Sequence, residues 1–225
     1  TRRSSDLLLH AGADVTTSCR NGMTEQQNLD PLMNCLLGNM DGRIPVENRL
    51  ATLDVLLRHP ATDVNKVYHQ SATRQDIPAL ESVLNVCMSP ENPSYQQMLS
   101  MNRSVTEYYP TAVQLALRLL EHPMIRVNHV DPMCRRNTVF NACYANSPAV
   151  LERVLQLGGD VNNVDIDNIT PLFYCILQGQ GYKECARVLT LSHTHDPNVL
   201  NMWNNMNGKA EKENKRLGLS YEQLA

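Results

Sequence analysis

Aromatic side chains are scarce in this 225-residue chain: 2 Phe, 1 Trp and 8 Tyr, or 5% of the residues. A core short of rings has to be filled by Leu and small residues, as layers of closely packed helices are. No apolar run approaches the roughly 20 residues that a membrane-spanning helix needs, and the first residues lack the pattern of a signal peptide. Excess charge of one sign is missing too. The net charge is −3 and the pI about 6.1, which argues against the whole chain serving as a polyanion binder. No Cys-x-x-Cys pair exists, so a structural zinc site has no support. Gly-rich phosphate loops, a nucleophile elbow and kinase signatures are likewise absent. These absences point away from an enzyme, a cofactor or a metal. The best metal-like cluster, His193-Thr194-His195-Asp196, has no second ligand pair at a recognisable spacing.

What the chain does have is repetition. GADV at 12–15, TDVN at 62–65, IRVN at 125–128 and GDVN at 159–162 are versions of one phrase, and each follows an apolar, helix-like run. Recurrence of this kind is the mark of stacked repeats. Such an array has a long surface rather than a central cleft, and a long surface suits another macromolecule. Seven cysteines are present, and Cys35, Cys143 and Cys175 share one position of the repeat with Ser82. Thiols in register with a small, buried slot read as reduced core residues, which implies a cytosolic or nuclear setting.

The start of the repeat is equally informative. Ile169-Thr170-Pro171-Leu172-Phe173 carries the Thr-Pro-Leu that opens the first helix of an ankyrin repeat, departing from that pattern where the family has His. Leu29-Asp30-Pro31-Leu32, Ile77-Pro78-Ala79-Leu80 and Asn137-Thr138-Val139-Phe140 fill the same slot. Val127 to Val161 spans 34 positions and Val139 to Pro171 spans 32, around the family period of about 33. The chain therefore resembles the ankyrin-repeat family, most closely over residues 131–200. Pro at the first helical position gives up only an N–H that would be unpaired there, and Thr170 can cap the helix. Gly158-Gly159 suits a left-handed helix end. His59-Pro60 and His122-Pro123 stop their helices by a different route, since Pro disfavours helical geometry at the residue before it.

The resemblance implies an all-α solenoid of antiparallel helix pairs forming a single domain. A partial repeat at 1–18 is followed by repeats at 19–67, 68–130, 131–164 and 165–200 and a polar capping repeat at 201–225. The opening suggests a piece of a longer protein. Val15 to Val64 spans 49 positions and Val64 to Val127 spans 63, so the earlier repeats carry insertions. The largest falls at 88–107, where Tyr95, Met98, Leu99 and Met101 suggest a packed excursion.

In function the resemblance implies a scaffold that binds a partner protein or peptide through its concave groove. The alternatives are a nucleotide- or nucleic-acid-sensing domain, or a regulatory domain of a larger enzyme or channel. Nucleic acid wants a basic groove with stacking aromatics, and the acidic balance opposes it. No small-molecule or membrane partner is expected. Mapped onto this chain, the exposed turn positions are Arg20, Asn21 and Met23; Tyr68, His69 and Gln70; Pro132, Met133, Arg135 and Arg136; and Ile166, Asp167 and Ile169. Leu37, Asn39, Ala145, Asn146, Leu177 and Gln178 fall at helix ends facing the same groove. The favoured partner site is Arg135, Arg136, Tyr144, Asn146, Ile166, Ile169 and Gln178, on the two most regular repeats.

Overall fold

The computed structural model describes residues 13–16, 19–20, 28–37, 44–70, 75–86 and 104–192. The expected capping repeat at 201–225, the His193–Asp196 cluster, Asn21, Met23, Asn39 and the apolar residues of the 88–107 insertion lie outside them. Eight α-helices occur among the described residues, and the fold is all-α, built of helix pairs. Two compact units emerge.

The first unit holds α1 (Pro31–Leu37), α2 (Val46–Arg58), α3 (Ala79–Val86) and α4 (Ser104–Leu120). Each helix packs on the other member of its pair, and α1 also packs on α3 as α2 does on α4. Asp30 caps α1 by accepting from the Met33 N–H at 2.9 Å, with Pro31 at the first helical position. Leu36, Leu53, Leu80, Leu84, Leu115 and Leu119 fill the layer between the pairs with almost no exposure. Arg118 of α4 pairs with Asp54 of α2. Because α4 begins at Ser104, the last four residues assigned to the insertion are helical.

The turns leading into α1 and α3 open into antiparallel hairpins: β1 (Cys19–Arg20) with β2 (Asn28–Leu29), and β3 (Val67–Gln70) with β4 (Gln75–Pro78). Strand alternation sends neighbouring side chains to opposite faces, and this corrects the expectation for Tyr68. Val67 is exposed, whereas Tyr68 is buried and its hydroxyl donates to both Asp30 carboxylate oxygens at 2.9 Å. Lys66 Nζ reaches the same carboxylate at 2.8 Å. Burial first, and then the Asp30 charge, push the Tyr68 hydroxyl well above the ordinary tyrosine range.

The second unit holds α5 (Thr138–Tyr144), α6 (Pro148–Gln156), α7 (Pro171–Gln178) and α8 (Lys183–Ser192). Here α5 packs on α6 and α7, and α8 packs on α7 and α6. Asn137 and Thr170 cap α5 and α7 by accepting from the N–H groups of Phe140 at 2.9 Å and Phe173 at 3.2 Å. Cys143 and Cys175 are free thiols sealed in the layer, and Ser82 takes the same place in the first unit; Cys35 is less completely covered. Cys143, Cys175 and Cys185 are all buried in this unit, and burial pushes Cys143 up and Cys175 well up from the ordinary thiol range.

Helix ends follow two designs. After α6 the Gly159 N–H bonds to the Val154 carbonyl and the Gly158 N–H to that of Leu155, both at 3.0 Å, with Gly158 at φ 84; this is the Schellman closure. After α2 the chain turns extended at His59 before Pro60, and His59 Nδ1 accepts from Ala61 at 3.3 Å. His122 does the same for Met124 at 3.3 Å. The repeated phrase then buries its Val: Val15, Val64, Val127 and Val161 are each at most 5% exposed. Asp14, Asp63 and Asp160 close the turn by accepting from the N–H two residues on, at 2.7, 2.9 and 2.9 Å. Asn65, in the first unit, reaches the next pass, donating to the Met124 carbonyl at 2.7 Å and accepting from the Arg126 N–H at 2.8 Å. In the second unit Asn128 treats Gly158 and Asp160 the same way, at 2.9 and 3.0 Å.

Substitutions at two positions test this packing. A Cβ on Gly159 would sit 2.7 Å from methyl groups of Val139 and Val154, so Gly159→Ala is expected to destabilise by about 1–3 kcal/mol. Cys175→Leu should lower stability by a similar amount, about 1–3 kcal/mol, whereas Cys175→Ala should be the milder change. Chemical denaturation of the three variants measures both effects.

Candidate partner-binding surface

Two turns of the second unit build the surface. In the first, the Asp131 N–H donates to the Arg136 carbonyl at 2.8 Å and the Arg135 N–H returns to the Asp131 carbonyl at 2.8 Å. The Asp131 carboxylate faces inward and accepts from the Met133 N–H at 2.7 Å. In the second, Asp165 accepts on Oδ1 from the N–H groups of Asp167 at 2.9 Å and Ile169 at 3.0 Å. The turns are then tied together. The Ile166 N–H donates to the Cys134 carbonyl at 3.0 Å, and Asn163 Nδ2 donates to the Arg135 carbonyl at 2.7 Å. Side chains at the two tips are thereby held beside one another.

Behind the tips sits an arginine among rings. The Arg136 guanidinium carbon lies 4.6 Å from the Phe140 ring centroid, 5.6 Å from that of Tyr144 and 6.0 Å from that of Tyr174. Its Nη2 is 3.3 Å from the Asp165 carboxylate, which is 1% exposed and so depends on that partner. Nε of Arg136 is buried and makes no hydrogen bond. Tyr174 continues the cluster, tilted against Phe140 at 5.3 Å and edge-on to Tyr182 at 5.9 Å. Burial pushes the Tyr174 and Tyr144 hydroxyls up, and the Arg136 charge partly offsets the rise in both.

The residues named from sequence thus fall into three groups. Arg135 and Ile166 are exposed, Ile166 at 56%, and Ile169 and Gln178 are half-buried. Arg136 and Tyr144 are half-buried and packed on each other. Asn146 is buried at φ 50, donating to the Gly181 carbonyl at 3.0 Å and facing Cys185 Sγ at 3.5 Å. Ala145 beside it has no exposure. These two shape the helix connection instead of lining a groove. Sequence reasoning missed Asp165 as the acceptor that organises its turn and holds Arg136. The signal was available: Asp131 and Asp165 open successive turns 34 positions apart.

Elsewhere, the first unit has an open groove of about 450 Å³ beside His59, Asp63, Asn65, His122 and Arg126. Its histidines already serve as backbone acceptors. Among the described residues, no set of three or more His, Cys, Asp or Glu is placed to hold a metal, and no helix is long and apolar enough to cross a membrane.

No family model and no curated protein matches the chain. Among solved structures it is similar to a crystal structure of an ankyrin repeat protein, with 13% identity over 85% of this chain and 94% of that one and a TM-score of 0.43.

Removing the Asp165 side chain should be costly. Two backbone N–H groups would lose their acceptor and Arg136 its counter-ion. Asp165→Ala is expected to destabilise by about 3 kcal/mol. A thermal or urea unfolding comparison checks this, and a loss below roughly 1 kcal/mol would show that the turn holds without its carboxylate.

Proposed function

We propose that the chain is a protein-binding module of the ankyrin-repeat kind, and that a partner protein or peptide docks on the turn tips and first-helix ends of its second unit. One observation carries this reading. Met133 and Ile166 are 61% and 56% exposed at the tips of turns joined by the Ile166–Cys134 backbone bond. Apolar groups side by side in water are a common mark of an interaction surface. Two hydrogen bonds join these turns, which lowers the ordering entropy that opposes docking. Arg135, Ile169 and Gln178 complete the surface, with Arg136 and Tyr144 as its floor.

The nucleic-acid alternative draws less support. Tyr144, its stacking residue, is half-buried against Arg136 and Tyr174. The single array with repeats at 19–67, 68–130, 131–164 and 165–200 remains part of this proposal.

The variants for the test follow from the placement. Arg136→Glu would strike the cluster that holds the turn, so Arg135→Glu and Ile166→Asp are the clean choices. Cross-linked partners captured by the full chain should be lost on Ile166→Asp at an unchanged melting temperature. Arg135→Glu should mainly slow association and alter its salt dependence. Capture unaffected by both would remove the partner site from this surface.

A further inference from the structure

Arg135 stands in the left-handed region of backbone space, at φ 57. One repeat later the residue at the same distance before the helix cap is Asn168, also at φ 57. Asn is among the few side chains that tolerate this conformation, and Arg is a poor substitute on backbone grounds alone. The turn evidently needs a left-handed residue there. No contact with a described residue explains the choice of Arg. Among the described residues the Arg135 side chain makes no hydrogen bond or ion pair, and the residue is exposed. Arg136 next to it is the opposite case, with its guanidinium spent on Phe140 and Asp165.

A strained residue held by its surroundings is a pointer to function. We infer that Arg135 is kept to anchor a carboxylate: the tips of these two turns take a peptide segment presenting one Asp or Glu between apolar residues. The assignment rests on the protein-binding reading above and adds its chemistry. The free planar guanidinium offers two parallel N–H donors to a carboxylate. Met133 and Ile166 supply the apolar flanks. The neighbouring carboxylates set the charge pattern. Those of Asp131 and Asp165 are turned into their own turns, but Asp167 is exposed on the second tip. An acidic run would meet Asp167 and be repelled, so a single carboxylate with apolar neighbours is the better fit.

The test selects a phage-displayed library of random peptides on the full chain, in parallel with Arg135→Asn and Arg135→Lys, and follows each protein by thermal melting. The wild type should enrich peptides with one acidic residue between apolar ones. A synthetic peptide of the winning sequence should bind Arg135→Asn about tenfold more weakly. That same variant should melt about 2–4 °C higher, because Asn suits the conformation. Arg135→Lys keeps the charge without the fork and should bind between the two. Weaker binding by a more stable protein is an outcome that a purely structural role for Arg135 would not produce. Enriched peptides without an acid, or equal binding by Arg135→Asn, would overturn the anchor while leaving a protein-binding surface. An unchanged or lower melting point for Arg135→Asn would overturn the conformational premise. No enrichment on the wild type would count against both readings.

Discussion

A side-chain amide carries a donor nitrogen and an acceptor oxygen a fixed distance apart, and in this chain that spacing is matched to the backbone of the following repeat. Asn65 takes the carbonyl of Met124 and the N–H of Arg126, two residues further on. In its own unit Asn128 takes the carbonyl of Gly158 and the N–H of Asp160. A two-point contact sets register as well as distance. The Val before each Asn is meanwhile committed to the interior, so the phrase cannot slide. Within the second unit the rest depends on this spacing. Once residues 128 and 160 are fixed, the turns at 131–137 and 165–170 come level. Asn137 can then cap α5 and also donate to the Asp160 carbonyl at 2.6 Å, and the Ile166–Cys134 bond can close.

Much of this was legible. The repeated Val, the small slot shared by Cys143, Cys175 and Ser82, the capping role of Thr170 and the two kinds of helix end were readable because each is a local demand on one residue type. A left-handed end wants Gly, and a helix start tolerates Pro. The hairpins before α1 and α3 were harder to see, since insertions there hide the turn, and β-pairing leaves its mark only as alternation. Tyr68 shows the consequence: its place in the turn suggested exposure, but the strand directs it inward toward Asp30.

The surface was less legible than the fold, for a physical reason visible in two adjacent arginines. Nothing in the sequence separates Arg135 from Arg136. Their difference comes from backbone direction. The left-handed turn at Arg135 sends that residue into water, and the next lies across Phe140 with Asp165 in reach. Asn146 was displaced from the expected surface by the same cause, since a residue at φ 50 is there to turn the chain between helices. Periodicity ranks positions by burial, but it does not say which polar group will find a partner from the next repeat.

The burial of the thiols of Cys143, Cys175 and Cys185 has a further meaning. All three are shut away from water between paired helices, and the first two are held in the unreactive protonated form by that enclosure. A reagent therefore meets them only while the helices part. When reclosing is faster than reaction, the rate of modification counts the fraction of molecules open at any moment. The second unit thus carries its own gauge of how often its layers separate, set within the helices that follow the two turns.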